Sequence, residues 1–382
     1  MKRKFHLITM LLVLLSGIVS AQAAPPLEQL LTAMPASSFS DGYFSYVDYQ
    51  ALVAARPDAA APTKGTSMDD HRQTPAGQQY FQTMLGVSSG FSGVTRYLYM
   101  ADNVAQSMGI FLPAIGQSAE AGLAPRQQVW LQGGIDAESV TAALTARHYQ
   151  QVGDTTSTPA IWCLDGNCTT GTRVQFELRD PSFLFGGELG ANWPILLDDQ
   201  RIAAAPDATV FQAIASSNSP RLMDMPEVSD LYQSLTGYAE GGVISQLYML
   251  KPNVAFTAPP ADTGLNAVAV THMESADALH VIIAMHFSSA DEAAAAQTAM
   301  PGNIENAVLR TGQPVTHIVE DFSGSSQNPA LIETENGHVL LVPFTFPPQS
   351  EVGKDVASAM PFQSFSRMLI QRDFDWVYPS SQ

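Results

Sequence analysis

Three groups of residues have the types and spacing to do chemistry. Gly86-Val87-Ser88-Ser89-Gly90 matches G-x-S-x-G, the pattern of a serine nucleophile. That chemistry needs a strand before the serine and a helix after it, so that the hydroxyl stands exposed on a strained turn. His272 and His280 lie either side of a predicted hairpin turn near residues 275–278 and could stand almost opposite each other, where two imidazoles can share a metal ion. His286 is six residues beyond His280, ~20 Å along a strand, and too far for the same ion. Met223-x-Met225 has a spacing that soft thioethers use for Cu(I), although methionine is also a common core filler.

Each group depends on the elements around it. Residues 78–85 read as helix and residues 94–100 as strand, the reverse of the order Ser88 would need; a helix C-cap at Gly86 followed by a loop accounts for the same residues. The histidines fall in a hairpin over 267–287, where solvent-facing positions on a sheet are the competing reading. Asp198-Asp199 sits in a predicted tight turn. No phosphate-binding glycine loop, H-E-x-x-H or calcium loop is present, and no cofactor is expected.

The two cysteines bracket Leu164-Asp165-Gly166-Asn167, in which Asp-Gly is a strong two-residue hairpin turn. Cys163 and Cys168 would then face each other at a non-hydrogen-bonded pair, with Cα atoms ~4.5 Å apart, a spacing a disulfide tolerates. A structural disulfide is expected.

An oxidising compartment is expected too. Lys2, Arg3 and Lys4 precede an apolar run of about 13 residues, and Ala21-Gln22-Ala23 supplies a small-x-small cleavage pattern. Residues 1–23 therefore read as a bacterial secretory signal, and a periplasmic or extracellular location follows. The run is shorter than the ~20 residues a spanning helix needs, so no transmembrane anchor is expected after cleavage. Cleavage removes three positive charges and no negative ones, moving the formal charge from −18 to −21 (15 Lys plus Arg against 36 Asp plus Glu). Such a chain repels phosphate backbones and anionic lipid, so nucleic acid is not an expected partner.

The pattern of elements predicts an α+β fold, with largely antiparallel sheets and helices on one face. Residues 127–131 read as strand, 133–134 as a break, and a helix opens at Asp136; strands at 159–164 and 172–178 follow. Residues 279–287 repeat the plan, with a helix opened by the Ser289/Glu292 capping box, a break at Pro301-Gly302, a strand at 315–319 and a hairpin at Asn336-Gly337. The two βαββ cells suggest an N-terminal domain over 24–250 and a C-terminal domain over 265–382, joined by a proline-rich linker over 251–264.

Trp130-Leu131-Gln132-Gly133-Gly134-Ile135-Asp136, with Val140, Ala143, Leu144 and Tyr149, resembles a strand-Gly-x-Asp-helix module of bacterial exported proteins of unknown function. The resemblance spans about residues 80–240 and implies no activity. Arg147-His148 stands where that module has a glycine before the aromatic. The expected function is non-catalytic binding of a small ligand or protein partner by an exported protein. The alternatives are a serine hydrolase using Ser88 and a metal-binding protein at His272/His280.

Overall fold

Strand β10, Leu279–Phe287, is buried along its whole length, as its near-continuous apolar run requires of a strand covered on both faces. It belongs to one antiparallel sheet. The strands are β1 (Tyr43–Asp48), β2 (Gln117–Ala121), β3 (Gln128–Gln132), β4 (Tyr149–Val152), β5 (Ala160–Leu164), β6 (Ile195–Leu197), β7 (Arg201–Ala204), β8 (Val243–Leu250), β9 (Leu265–Glu274), β10, β11 (Ser325–Ser326), β12 (Ala330–Glu333) and β13 (His338–Phe346). Their order is β11-β13-β10-β9-β8-β1-β2-β3-β7-β6-β5-β4, with β12 also pairing β13. The computed structural model describes residues 24–124, 126–153, 159–169, 171–215, 219–238, 242–256, 264–275, 278–347, 360–374 and 376–377; the predicted signal over 1–23 lies outside them. The fold is α+β.

Helices cover both faces of this sheet, rather than one. Tyr46 and Val47 are neighbours in β1 and must point to opposite sides. Tyr46 packs with Leu30 and Leu31 of the Pro26–Ala33 helix and with Val228 and Leu231 of the Pro226–Thr236 helix. Val47 packs with Val140 and Leu144 of the Ala137–Ala146 helix. Beyond β8 that second face carries a further core, in which Tyr248, Val270 and Ile283 meet Ala293 and Met300 of the Ala290–Asn306 helix and Phe362 and Phe365 of the Met360–Ile370 helix.

The sheet runs unbroken across the expected domain boundary. Residues 251–264 connect β8 to β9, which pair with each other, and one core joins Leu247 and Met249 to Ala267, Met273 and Ile282. The described part of that segment holds the short Pro252–Ala255 helix, and the segment joins two paired strands of one sheet rather than two separate cores; its residues 257–263 lie outside the described residues. The repeated plan also shifts. β1 and β8 pair antiparallel at the centre, each opens a three-stranded meander, and β3 and β10 each lead into a helix on the same face.

Local signals explain several elements. Asp136 and Ser289 cap their helices by accepting from the backbone N–H of Ser139 and Glu292. The helix opened by Ser289 runs to Asn306 through Pro301, where a break was expected. Residues 315–319 form a helix, Val315–Asp321, with Val315, Ile318 and Val319 buried at i, i+3 and i+4 spacing. Residues 172–178 alternate apolar and polar, yet they form no strand: Val174, Phe176 and Leu178 are exposed, Phe176 by 71%. His148 takes φ +64°, a left-handed conformation that glycine adopts more readily.

Candidate functional site

Between the two cores on the second face runs a polar seam, built on two cross-strand rows. Ser118, Val47, Gln246 and His272 form one row across β2, β1, β8 and β9; Glu120, Ser45, Tyr248 and Val270 form the next. A register shift in β8 between Ile244 and Gln246 leaves room for Ser245, whose hydroxyl meets His272 Nδ1 at 2.9 Å.

Ser88 sits at this seam in a loop that follows the Pro75–Leu85 helix and precedes the short Ser92–Arg96 helix, so the strand-turn-helix of a nucleophile elbow is absent. Residues 94–100 are helical turns and not the strand read from sequence. Gln246 Oε1 accepts from the backbone N–H of Ser88 at 2.9 Å and of Ser89 at 3.3 Å. The Ser88 hydroxyl lies 3.3 Å from that of Ser366, and Tyr248 donates to the Ser88 carbonyl. Gly90, the last residue of the motif, is required by packing: a Cβ there would stand 2.5 Å from Val47 Cγ1 and 2.6 Å from Ser118 Oγ, at φ +67°. The glycine spacing that mimics an elbow is explained by this close approach.

His272 is fully buried. Beyond its bond to Ser245, its Nε2 lies 3.3 Å from Glu274 Oε1, and Phe362 stacks over the ring at 5.7 Å. Burial, followed by the positive charge of Arg56, pushes its pKa down to about 3, so the imidazole is neutral at physiological pH. Neither nitrogen contacts Ser88. A serine needs a basic group on its hydroxyl to become a nucleophile, and Ser88 has another hydroxyl there.

His280 is on the other face. In the β9–β10 ladder His272 stands opposite Val281, and His280 opposite Met273. His280 Nδ1 meets Thr345 Oγ1 at 3.2 Å, and Tyr238 packs edge-on to its ring. The expected metal pair is therefore split by the sheet, and among the described residues no group of three His, Cys, Asp or Glu is arranged to hold a metal ion. Met223 and Met225 pack against the core of the first face.

Sequence reasoning missed one polar cluster. Asp230, 1% exposed on the Pro226–Thr236 helix, accepts from His286 Nε2 at 3.1 Å, Thr334 Oγ1 at 2.7 Å and Asn336 Nδ2 at 3.1 Å. Asn266 Nδ2 lies 3.2 Å from His286 Nδ1. A histidine inside the apolar run of β10 was the visible signal; its partner comes from a helix 56 residues away. The network ties that helix to the β12–β13 hairpin and leaves no opening to solvent at Asp230 or His286.

Cys163 and Cys168 form a disulfide with Cα atoms 5.0 Å apart. Asp165 and Gly166 both take positive φ, and Asn167 N–H donates to Leu164 O, as an Asp-Gly turn requires. Among the described residues no strand lies between Cys168 and β6; β5 pairs instead with β4 and β6.

Clefts open at the surface on the first face. One, of about 280 Å³, lies between the turn Ala36–Phe39, the start of β3 and the segment 205–210. Ser38 and Gln128 line it, each 2% exposed and hydrogen-bonded to the other at 2.9 Å. Ser37, Ser40, Asp207, Thr209 and the Arg126–Asp41 ion pair complete the polar wall, and Val210 adds an apolar side. Another cleft lies between the Pro26–Ala33 helix and the β6–β7 turn.

No protein-family model matches the chain, and no curated protein does. Among solved structures it is similar to crystal forms I and IV of TP0453, each 6% identical. The matches cover 86% and 85% of this chain and 96% of the other, with TM-scores of 0.32 and 0.35, too low to bear on function. No described helix is long and apolar enough to cross a membrane. Fold and site together define an α+β protein on a single antiparallel sheet, with its reactive side chains held in structural bonds.

Proposed function

We propose that this is an exported bacterial protein that binds a small polyhydroxylated ligand without covalent chemistry, in the cleft beside Gln128. The observation that carries the reading is the pair of buried polar side chains, Ser38 and Gln128, lining an open cleft otherwise rich in hydroxyls. Burying polar side chains costs free energy unless they are hydrogen-bonded, and here each satisfies the other while facing space that a ligand can fill. The Arg126 guanidinium is neutralised by Asp41, so the wall offers donors and acceptors side by side with little unpaired positive charge. Such a wall suits an uncharged ligand that carries many hydroxyls, and the volume suits one about the size of a monosaccharide. The bonds of Ser88 and His272 support binding over hydrolysis. Export rests on the N-terminal sequence, and the disulfide is compatible with it.

Calorimetric titration of the purified mature protein with hexoses and linear polyols tests the reading. Saturable binding that weakens in Asp207→Asn and Ser40→Ala variants is expected. Absence of saturable heat from every compound overturns the ligand class; labelling of Ser88 by a fluorophosphonate probe, with turnover of an ester, overturns non-covalent binding.

A further inference from the structure

The cleft between the Pro26–Ala33 helix and the β6–β7 turn has the start of the processed chain at its rim. Ala24 lines it together with Glu28, Gln29, Asp198, Asp199 and Arg201. Of the three carboxylates, Asp198 is satisfied by Arg201, at 2.8 Å, and by the backbone N–H groups of Gln200 and Arg201. Glu28 accepts one bond, from the Tyr232 hydroxyl at 3.1 Å. Neither Glu28 nor Asp199 has a cationic partner among the described residues.

A second observation fixes residue 24 at this place. Gln29 Nε2 donates to the Ala24 carbonyl at 2.5 Å, and Gln29 Oε1 in turn accepts from Gln132 Nε2 at 2.9 Å. Gln132 is 7% exposed, and its buried Oε1 has no hydrogen-bond partner. A buried amide thus holds the side chain that holds Ala24.

Resting on the export reading, we propose that this cleft is the seat of the chain's own processed terminus: cleavage after Ala23 creates an α-ammonium on Ala24 that pairs with Glu28 and Asp199. Before cleavage the same nitrogen is an amide, with one donor and no charge. Hydrolysis of the Ala23–Ala24 bond adds water across it, leaving a carboxylate on the released signal and an ammonium with three donors on the mature chain. The partial positive charge at the start of the Pro26–Ala33 helix, about half an elementary charge, opposes the ammonium. Two full carboxylates outweigh it. Processing would thereby lock the first helix against the β6–β7 turn, so that the exported form is more rigid there than the precursor.

The test is titration of the α-amino group of the mature protein, labelled by reductive ¹³C-methylation and followed by NMR. The pKa is expected at least one unit above the ordinary ~8 of a free α-amine. It should fall back toward that value in both Asp199→Asn and Glu28→Gln. An ordinary pKa in the parent, or no change in either variant, overturns the seat. Sequencing the N-terminus of the exported protein separates the two readings. A start at Ala24 with an ordinary pKa overturns the seat alone, whereas a start elsewhere overturns the processing on which it rests.

Discussion

Gln246 stands directly across the ladder from His272, with both side chains on the face that receives the Ser88 loop. Gln246 Oε1 takes the two backbone N–H groups of Ser88 and Ser89, while the imidazole is held by Ser245 and lies beside Glu274. The row therefore joins a loop of one core to the strands of the other through Gln246 Oε1, while Gln246 Nε2 is buried without a hydrogen-bond partner.

The neutral state of His272 has a consequence for acid stability. Its pKa is near 3 in the folded protein and ~6.5 when unfolded, so between these values the unfolded state binds the extra proton. Stability is then fully present above pH ~6.5 and falls as pH drops toward 3, by up to ~1.4 kcal/mol per unit. Urea unfolding of His272→Gln should show a shallower decline, saving about 2 kcal/mol of the loss between pH 6.5 and 4.5. Parallel pH curves for parent and variant would show that His272 does not stay neutral.

Glu120 gives the opposite slope. Burial raises its pKa to about 7, with a bond from Gln127 pulling weakly the other way. For an acid with a raised folded pKa, the folded state holds the proton longer. Stability is therefore lost as pH rises from ~4.5 through 7. Glu120→Gln, which mimics the protonated form, should be more stable than the parent at pH 8 by about 3 kcal/mol and nearly equal to it at pH 4. A variant less stable than the parent at pH 8 would reverse the assignment of charge.

The histidine faces show where the sequence stops being legible. The apolar run of β10, the turn after Glu274 and the caps at Asp136 and Ser289 were all readable, because each is set by residues close in the chain. The face of a histidine is set by register. The β9–β10 ladder pairs Glu274 with Leu279, which sends His272 opposite Val281 and turns His280 to the other side. One residue of slip decides whether two imidazoles can meet. Likewise, the alternation at 172–178 describes a strand only if a partner exists, and no described strand pairs there. Asp230 and His286 meet through tertiary packing alone, and the clefts are made by segments distant in sequence. The shared sheet was hidden for a different reason: prolines at 252, 259 and 260 mark a loop, but composition does not say whether a loop separates domains or strands.

Asp230 is the polar group whose loss should cost most. It is the common acceptor for the buried His286, the half-buried Thr334 and the exposed Asn336. Removing it by Asp230→Ala strands the buried His286 N–H, while Thr334 keeps its bond to Gly337 O and the exposed Asn336 turns to water; breaking the buried pair costs on the order of 3 kcal/mol. Asp230→Asn keeps the shape but turns one acceptor into a donor, and should lose less, about 2 kcal/mol. Urea unfolding with a shift below ~1 kcal/mol for the alanine variant would mean that water replaces the carboxylate. Crystal structures of the variant would show that water.

The disulfide should matter locally rather than globally. Closing so short a loop stabilises the chain by about 2 kcal/mol in the loop-entropy picture. The Asp165-Gly166 turn keeps its own bonds, Gly166 N–H to Cys163 O at 3.1 Å and Asn167 N–H to Leu164 O at 2.9 Å, so it should survive reduction. β5 is held on both sides by β4 and β6 and does not depend on the bridge for its register. The residues that gain freedom are Cys168 and Thr169, which pair with no described strand. Cys163→Ser/Cys168→Ser should therefore fold, lose about 2 kcal/mol, and exchange amide hydrogens faster at Cys168 and Thr169 than at Gln150 or Trp162. Thiol titration of the denatured, unreduced parent should find no reactive thiol. Two thiols per chain would refute the bridge, and faster exchange throughout β4 and β5 would show that it sets the register of that edge after all.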